Sequence, residues 1–241
     1  MRIEIVAGEE ALAARAADII RDAVRAKPAV LLGLPTGNTP IRAYRELERR
    51  VAAGEADFSH ADIYAIDEFA DATRATPGTN SVFYRRYLKL GQRALHCPNP
   101  SAHDADEHIR AFADAIRRAG GLDLCVLGIG TNGHIAFNEP GSSRDSRARV
   151  VDLAPASREA HAAAFGSLDR VPQRGMTLGV ADLLEARAIL VLAAGARKAT
   201  IVRLAIEGPQ TADVPSSWLQ QHADVTWLLD EAAAAELRRH E

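Results

Sequence analysis

The sequence is poor in lysine and in cysteine. Only three of its 29 basic residues are lysines, Lys27, Lys89 and Lys198, so a lysine at a structured position is informative here. There are two cysteines, Cys97 and Cys125. Because Cys125 lies in a run predicted to be buried, the pair argues against a disulfide framework.

The sequence also lacks long apolar runs and an excess of either charge. No run approaches the length needed to cross a bilayer, and the N-terminal segment does not have the pattern of a signal peptide. The formal net charge of −3 gives no basic footprint for nucleic acid. We therefore expect a cytoplasmic protein that binds neither a membrane nor a nucleic acid.

Apolar material, by contrast, is sufficient for a large core. Hydrophobic residues make up 47% of the 241 residues. No repeat, low-complexity tract or linker divides the chain. We expect a single domain over residues 1–241.

Short apolar runs alternate with helical periodicity along the chain. The predicted strands lie at 29–34, 62–66, 122–127, 189–192 and 225–229, and the predicted helices at about 12–24, 40–51, 82–90, 107–118 and 198–207. This alternation predicts the α/β class, as a three-layer αβα sandwich around a Rossmann-like, mostly parallel sheet.

The segment 128–141 is the most informative part of the sequence. It follows a predicted strand and contains three glycines within six positions, which indicates a backbone pressed against a ligand, and we expect Gly130 to be one such contact. The same letters match a G-x-G-x-x-G dinucleotide fingerprint. That fingerprint needs a helix to begin in the loop, and the run 138–143 (Asn-Glu-Pro-Gly-Ser-Ser) breaks any such helix.

Three ionisable residues are candidates for acid and base chemistry. His134 and Glu139 are five positions apart in a non-helical loop, so the carboxylate can bond one ring nitrogen and fix the tautomer. Asp67 follows the second predicted strand and is a candidate general base. A lone Asp more often caps the next segment, and a lone His is more often structural, so these assignments depend on one another.

The segments that follow two of the predicted strands favour an anion, and phosphate is the anion that we expect there. Thr36, Gly37, Asn38 and Thr39 join the first of these strands to a helix whose N-terminal amides attract negative charge, with Thr39 as the expected N-cap. Lys198 opens a helix after a later strand, where its ammonium can reach the same phosphate. The alternative is an ordinary capped helix.

We expect no required metal and no cofactor. His96, His103 and His108 are close in sequence but lack a tight ligand spacing.

These motifs together resemble the glucosamine-6-phosphate deaminase (isomerase) family, in the larger group that includes the 6-phosphogluconolactonases. The resemblance covers nearly the whole chain. Its carriers are residues 32–40 (Leu-Gly-Leu-Pro-Thr-Gly-Asn-Thr-Pro), 66–69 (Ile-Asp-Glu-Phe), 128–141, 176–180 and the strand leading to Lys198. The run Gly-His-Ile-Ala-Phe-Asn-Glu-Pro is specific to the deaminase branch.

The resemblance implies that an amino-sugar 6-phosphate and water give a ketohexose 6-phosphate and ammonia. It implies that His134 promotes ring opening with Glu139 orienting it, and that Asp67 moves the proton between C2 and C1. A small-molecule substrate and no redox cofactor follow from it. It leaves open whether the protein is a monomer or a homo-oligomer.

The sequence departs from the family at two positions. Many members carry an Asp where this chain has Asn132, which orients the histidine without adding a charge. Ala163 stands in a segment where an arginine usually binds the phosphate, so the phosphate would depend on Lys198, on the amides of residues 36–39, or on another arginine such as Arg158 or Arg170. That absence is similar to the galactosamine-6-phosphate deaminase branch, so the epimer stays open.

Two other functions remain at this point. A 6-phosphogluconolactonase would use the same histidine to activate water, and ammonia release separates it from a deaminase. A sugar-phosphate sensor without catalysis is the second, although its usual DNA-binding helices have no room before the first core helix.

Overall fold

A seven-stranded parallel sheet organises the protein. The structure, a computed structural model, describes residues 1–238. The ten strands are β1 Arg2–Val6, β2 Leu31–Leu34, β3 Asp62–Ala65, β4 Asp67–Phe69, β5 Ala94–His96, β6 Leu124–Gly128, β7 Arg149–Asp152, β8 Arg174–Thr177, β9 Ala188–Ala193 and β10 Val225–Asp230.

Seven α-helices and three short 3₁₀ helices connect these strands. The α-helices are α1 Gly8–Ala26, α2 Asn38–Ala52, α3 Asn80–Tyr87, α4 Ala105–Arg118, α5 Pro155–Phe165, α6 Val180–Leu184 and α7 Ala199–Glu207. The 3₁₀ helices are Leu168–Arg170, Ala196–Lys198 and Pro215–Gln221.

The large sheet has the strand order β1-β10-β9-β6-β2-β3-β5, and all its pairings are parallel. Its strands are short runs of branched and apolar residues, as expected where both faces are covered. A second, antiparallel sheet has the order β4-β8-β7. Its strand β4 begins at Asp67, and only Ile66 separates β4 from β3.

Helices cover both faces of the large sheet, which confirms the predicted α/β class with three layers. Alternate residues of β6 point to opposite faces: Cys125 and Leu127 join one apolar core, and Leu124 and Val126 join the other. Residues of α4 and α7 fill the first core, and residues of α1 and α2 fill the second. A smaller aromatic cluster packs Phe69 against side chains of the antiparallel sheet and α5.

The predicted start of α2 is wrong. The helix begins at Asn38 rather than after a Thr39 cap, because Gly37 adopts a φ of 110° and turns the chain directly into the first helical turn. Pro40 fits in that turn because the first N–H groups of a helix have no partner within it.

Several elements were not predicted. The periodicity gave no signal for β1, which carries Arg2 and Glu4, nor for the three-residue strands β4 and β5. The helix predicted at about 198–207 is α7, which begins one residue later, at Ala199, after a 3₁₀ turn that ends at Lys198. Within residues 1–238, no helix is both long and apolar enough to span a membrane.

Candidate active site

Four adjacent parallel strands bring the predicted site residues to one edge of the sheet. The order β9-β6-β2-β3 places the segments after these strands side by side, because parallel strands end at the same edge. Lys198 follows β9, His134 follows β6, Thr36 follows β2 and Asp67 follows β3. Residues from four distant parts of the sequence therefore lie beyond the same ends of these strands, and we call the space between them the candidate crevice.

The crevice lies at the point where the strand order reverses. From β2 the chain winds outward through β3 to β5, and from β6 it winds the other way through β9 to β10. In open α/β sheets, ligands bind at this switch point, beyond the carboxyl ends of the strands. The Thr36 and His134 loops flank it.

The loop after β6 is a tight turn built on glycine. The amide of Gly130 donates to the carbonyl of His134 at 2.9 Å, and the amide of Gly133, with a φ of 88°, donates back to Gly130 at 3.0 Å. A Cβ on Gly130 would lie 2.3 to 2.6 Å from atoms of the His134 ring. Gly130 is therefore required for the imidazole to lie against the backbone.

No helix follows this turn before α5 begins at Pro155. The loop therefore lacks the helix N-terminus that a bound dinucleotide requires, as the sequence indicated.

His134 and Glu139 form a close pair. Nδ1 of the imidazole lies 3.4 Å from Oε2 of the carboxylate. The same Oε2 accepts a hydrogen bond of 2.9 Å from Nδ2 of Asn132, and Oε1 accepts one of 2.5 Å from the hydroxyl of Ser157. Asn132 also accepts from the backbone amide of His134 at 3.2 Å. Asn132 thus binds the carboxylate and the loop rather than the ring.

The environment of Glu139 keeps it ionised. Burial alone would raise its pKa, but the contacts with His134, Ser157 and Asn132 outweigh burial and lower the pKa to about 2. A permanent anion beside Nδ1 favours a proton on that nitrogen, which leaves Nε2 as the position that exchanges a proton with a ligand.

Asp67 is a buried carboxylate with one strong hydrogen-bond donor. It is 7% exposed, and Nδ2 of Asn80 donates to its Oδ1 at 2.6 Å and to its backbone carbonyl at 3.0 Å. Burial, together with the neighbouring charge of Glu68, raises the pKa of Asp67 to about 7. Such a carboxylate is half ionised near neutral pH, as a general base requires.

Glu68 points away from Asp67, into the N-terminus of α3. Its carboxylate accepts from the amides of Phe69, Asn80 and Ser81 and from the Ser81 hydroxyl, at 2.6 to 2.9 Å. Burial raises the pKa of Glu68, and these four donors oppose that effect. The helix is thus fixed beside Asp67, with Asn80 in place to bind it.

The expected phosphate site combines a helix N-terminus with Lys198. Gly37 and Asn38 are exposed at the start of α2, and the hydroxyl of Thr36 donates to Oδ1 of Asn80 at 3.1 Å. The ammonium of Lys198 donates to the carbonyl of Ile129 at 2.7 Å, and burial, with the nearby Arg197, lowers its pKa. That single bond leaves two of its three donors for an anion.

Two arginines could replace the one expected near Ala163, and the structure places them as follows. Ala163 lies exposed on α5, and one guanidinium nitrogen of Arg158 donates to the backbone carbonyls of Leu168 and Val171 at 3.2 Å. Arg158 therefore stabilises the end of α5. Arg170 is exposed at the end of the 3₁₀ helix that follows α5.

Among residues 1–238, no group of three or more His, Cys, Asp or Glu side chains is arranged to hold a metal ion.

The sequence gave no indication of Asn80 or Ser157. Asn80 contacts a residue 13 positions away and Ser157 one that is 18 positions away. Only Thr79, which caps α3 by accepting from the amide of Val82, was a usable signal, since it marks a helix start next to the predicted polar loop.

Comparison with known proteins finds relatives that match almost the whole chain. The sequence profile of the family described as "Glucosamine-6-phosphate isomerases/6-phosphogluconolactonase" matches residues 6–227. A glucosamine-6-phosphate deaminase of Rhodopirellula baltica is 42% identical over 98% of this chain and 95% of its own length. Glucosamine-6-phosphate deaminase 2 of Bacillus subtilis is 37% identical over 99% of this chain and 98% of its own.

Solved structures extend the comparison to the fold. A monomeric glucosamine-6-phosphate deaminase superposes with a TM-score of 0.94 at 35% identity, over 98% of this chain and 100% of that one. A 6-phosphogluconolactonase from Trypanosoma brucei superposes with a TM-score of 0.78 at 18% identity, over 98% of both chains, and shares the fold.

Proposed function

Because the chain belongs to the glucosamine-6-phosphate isomerase/6-phosphogluconolactonase family, we propose that it is a deaminating isomerase of glucosamine 6-phosphate. One molecule of glucosamine 6-phosphate and one of water give fructose 6-phosphate and ammonia. The deaminase relatives, at 33 to 42% identity over almost the whole chain, support this activity.

The substrate phosphate binds between the start of α2 and Lys198. The first-turn amides of α2 donate to the phosphate oxygens, and the helix dipole favours the negative charge. Lys198, held by the Ile129 carbonyl at the mouth of the His134 loop, neutralises part of the remaining charge. These groups replace the arginine that is absent at Ala163.

His134 opens the sugar ring. Nε2 takes the proton from the C1 hydroxyl and returns one to the ring oxygen as the C1–O5 bond breaks, which yields the open-chain aldehyde. The carboxylate of Glu139, 3.4 Å from Nδ1, stabilises the imidazolium while it carries that proton. Gly130 and Asn132 hold the ring and its carboxylate in this orientation.

Asp67 carries out the isomerisation. Its carboxylate removes the proton from C2, the electron pair of that C–H bond forms the C1–C2 double bond, and the C1 oxygen takes a proton from the C2 ammonium, which gives the enolamine. Asp67 then delivers its proton to C1, which gives the protonated C2 imine of the ketohexose. With a pKa of about 7, the group is basic enough to take this proton and acidic enough to return it.

Water completes the reaction. It adds to the C2 imine, the C–N bond breaks, and ammonia leaves as the C2 carbonyl forms. The electrons balance within these steps, so the sequence of reactions needs no oxidant or reductant.

The observation that supports the proposal most strongly is that two carboxylates in different environments follow β3 and β6, which lie on either side of β2. Glu139 stays ionised beside an imidazole, and Asp67 titrates near neutral pH beside the phosphate loop. A ring-opening pair and a separate proton-transfer base are what an aldose-ketose isomerisation requires.

Ammonia release from the purified protein tests the proposal. Glucosamine 6-phosphate, galactosamine 6-phosphate and 6-phosphogluconolactone are supplied in parallel, and ammonia and lactone hydrolysis are measured. Ammonia from glucosamine 6-phosphate is the expected result. Ammonia from the galactosamine epimer alone would correct the substrate, and lactone hydrolysis without ammonia would overturn the deaminase.

A further inference from the structure

The edge of the large sheet that β1 forms carries exposed apolar side chains. Four large hydrophobic side chains are exposed within residues 1–238, and three of them belong to β1 or precede it directly: Met1 at 56%, Ile3 at 38% and Ile5 at 52% exposure. β1 pairs with β10 on one side only, so its other side is an edge of the sheet. Exposed, apolar edge strands bind other strands, and natural proteins commonly protect them.

The three apolar side chains share one face of the sheet. Ile3 and Ile5 lie next to Trp227 and Leu229 of β10, which are buried in the core beneath α7. The core therefore buries the β10 side chains on this face but leaves those of Ile3 and Ile5 in β1 exposed. The apolar surface of the core continues without interruption to the edge.

The other face of β1 carries its charges. Glu4 bonds Arg15 of α1 at 2.6 Å, and Arg2 is exposed two residues earlier, on the same face. The strand thus presents an apolar side and a charged side, with the sequence Met-Arg-Ile-Glu-Ile over residues 1–5.

The backbone N–H and C=O groups of β1 that point away from β10 are those of its apolar residues. The carbonyl of Val6 accepts from the amide of Glu231 at 3.1 Å, at the end of β10, so Val6 faces β10. Because successive residues of a strand direct their backbone groups to opposite sides, Glu4 and Arg2 also face β10, and Ile3 and Ile5 face the open edge.

We propose that a second copy of this chain pairs with β1 along this edge, antiparallel and centred on Ile3. In this register Ile3 lies opposite the partner's Ile3, and the two residues exchange their N–H···O bonds. Met1 lies opposite the partner's Ile5, and Arg2 lies opposite the partner's Glu4. The strand is therefore complementary to itself in backbone, apolar and charged groups.

Charge selects this register over its neighbours. A shift of two residues one way places Glu4 opposite the partner's Glu4, and a shift the other way places Arg2 opposite the partner's Arg2. Like charges directly opposite each other on paired strands are destabilising. A shift of one residue would bring backbone groups that already bind β10 to the edge.

The pairing closes on two copies. An antiparallel contact about one two-fold axis uses the β1 edge of both chains, so that edge is not available to a third chain. Five residues on each side make a small interface compared with those of permanent dimers. We therefore expect an equilibrium between one and two chains that depends on concentration.

Light scattering coupled to gel filtration, over a wide range of concentrations, measures this equilibrium. The wild type is expected to approach twice the chain mass of 25.9 kDa as its concentration rises. Ile3→Lys, which places two ammonium groups at the two-fold axis, is expected to hold the mass at one chain. Leu168→Lys, at the exposed apolar residue outside β1, is the matched control and is expected to dimerise as the wild type does.

Variants that reverse one charge of β1 test whether the partner is a second copy of this chain and whether it pairs in this register. Arg2→Glu and Glu4→Arg should each be monomeric alone, because each creates like pairs. Mixed together they should form a heterodimer, because every opposed pair is then of unlike charge. Ammonia release and far-ultraviolet circular dichroism verify that the variants are folded.

Three results would overturn the proposal. The first is a wild-type mass of one chain at the highest concentration, as in a monomer. The second is a dimer that Ile3→Lys and Arg2→Glu leave intact, since its interface would lie elsewhere. The third is a failure of the two charge variants to associate when mixed.

Discussion

Replacing Asn80 with alanine should shift the pH dependence of the enzyme. Asn80 is 2% exposed and donates the 2.6 Å hydrogen bond that Asp67 receives from a side chain. That bond favours the ionised carboxylate, against the burial that raises its pKa. Without it, Asp67 should keep its proton to a higher pH and be unable to act as a base there.

The size of the shift follows from the strength of one hydrogen bond to a charged group. Such a bond contributes about 1.5 to 3 kcal/mol, and water entering the vacated space recovers part of it. One pKa unit corresponds to about 1.4 kcal/mol, so the pKa of Asp67 should rise from about 7 to about 8. The ionised fraction at pH 7 then falls from about one-half to about one-tenth.

The assay is kcat/KM for ammonia release from pH 5 to 10. The acid limb of the profile should move up by about one pH unit, with a loss of about fivefold at pH 7 and little change at pH 9. A variant that is merely less stable would lose activity at every pH instead. An unmoved acid limb in an active Asn80→Ala protein would refute the role of Asn80, and of the pKa of Asp67, in the account.

Ser81→Ala is the matched control. Ser81 is the next residue of α3, is 3% exposed, and donates its hydroxyl to Glu68 rather than to Asp67. Its loss favours the neutral form of Glu68, which reduces the negative charge beside Asp67. The acid limb should therefore stay in place or move down.

Three further variants test single groups, and a fourth, Gly128→Ala, is a control. Asp67→Asn should abolish turnover, yet at pH values above 7 the variant should melt at a higher temperature than the wild type. A buried carboxylate with a raised pKa lowers the stability of the fold once it ionises, here by up to about 4 kcal/mol. A lower melting temperature of the variant at these pH values would contradict this. Lys198→Ala should raise KM about 10- to 100-fold with little effect on kcat, and an unchanged KM would place the phosphate elsewhere. Gly130→Ala should lower kcat about 100-fold by displacing His134. Gly128→Ala, where a Cβ meets nothing within 4 Å, should not.

The fold was predictable wherever burial left a pattern. Strands β2, β3, β6, β9 and β10 are runs of apolar residues covered on both faces, and the helices between them keep a regular spacing. β1 was not predicted because it lies at the edge of the sheet, where charged residues alternate with apolar ones. The antiparallel sheet was not predicted because its strands are three or four residues long, and β4 pairs with a strand more than 100 positions away, as Asp67 does with Thr177.

The candidate site was predictable to the extent that its residues follow strands. Asp67, His134 and Lys198 each stand just beyond a predicted strand, and the parallel arrangement of these strands brings them together. Asn80 and Ser157 lie on helices, and only the packing of α3 and α5 over the crevice makes them contacts of Asp67 and Glu139. Of the groups that the sequence offered in place of the phosphate arginine, Arg158 donates to backbone carbonyls instead, a contact that only the structure reveals.

The most direct test of the central claim is the stoichiometry of the reaction, followed by nuclear magnetic resonance with glucosamine 6-phosphate in heavy water. The account predicts one ammonium and one fructose 6-phosphate for each substrate consumed. It also predicts deuterium at C1 of the product, from exchange on Asp67, and neither product nor exchange with Asp67→Asn. Ammonia formed without the ketose, or an equally active Asp67→Asn protein, would contradict it.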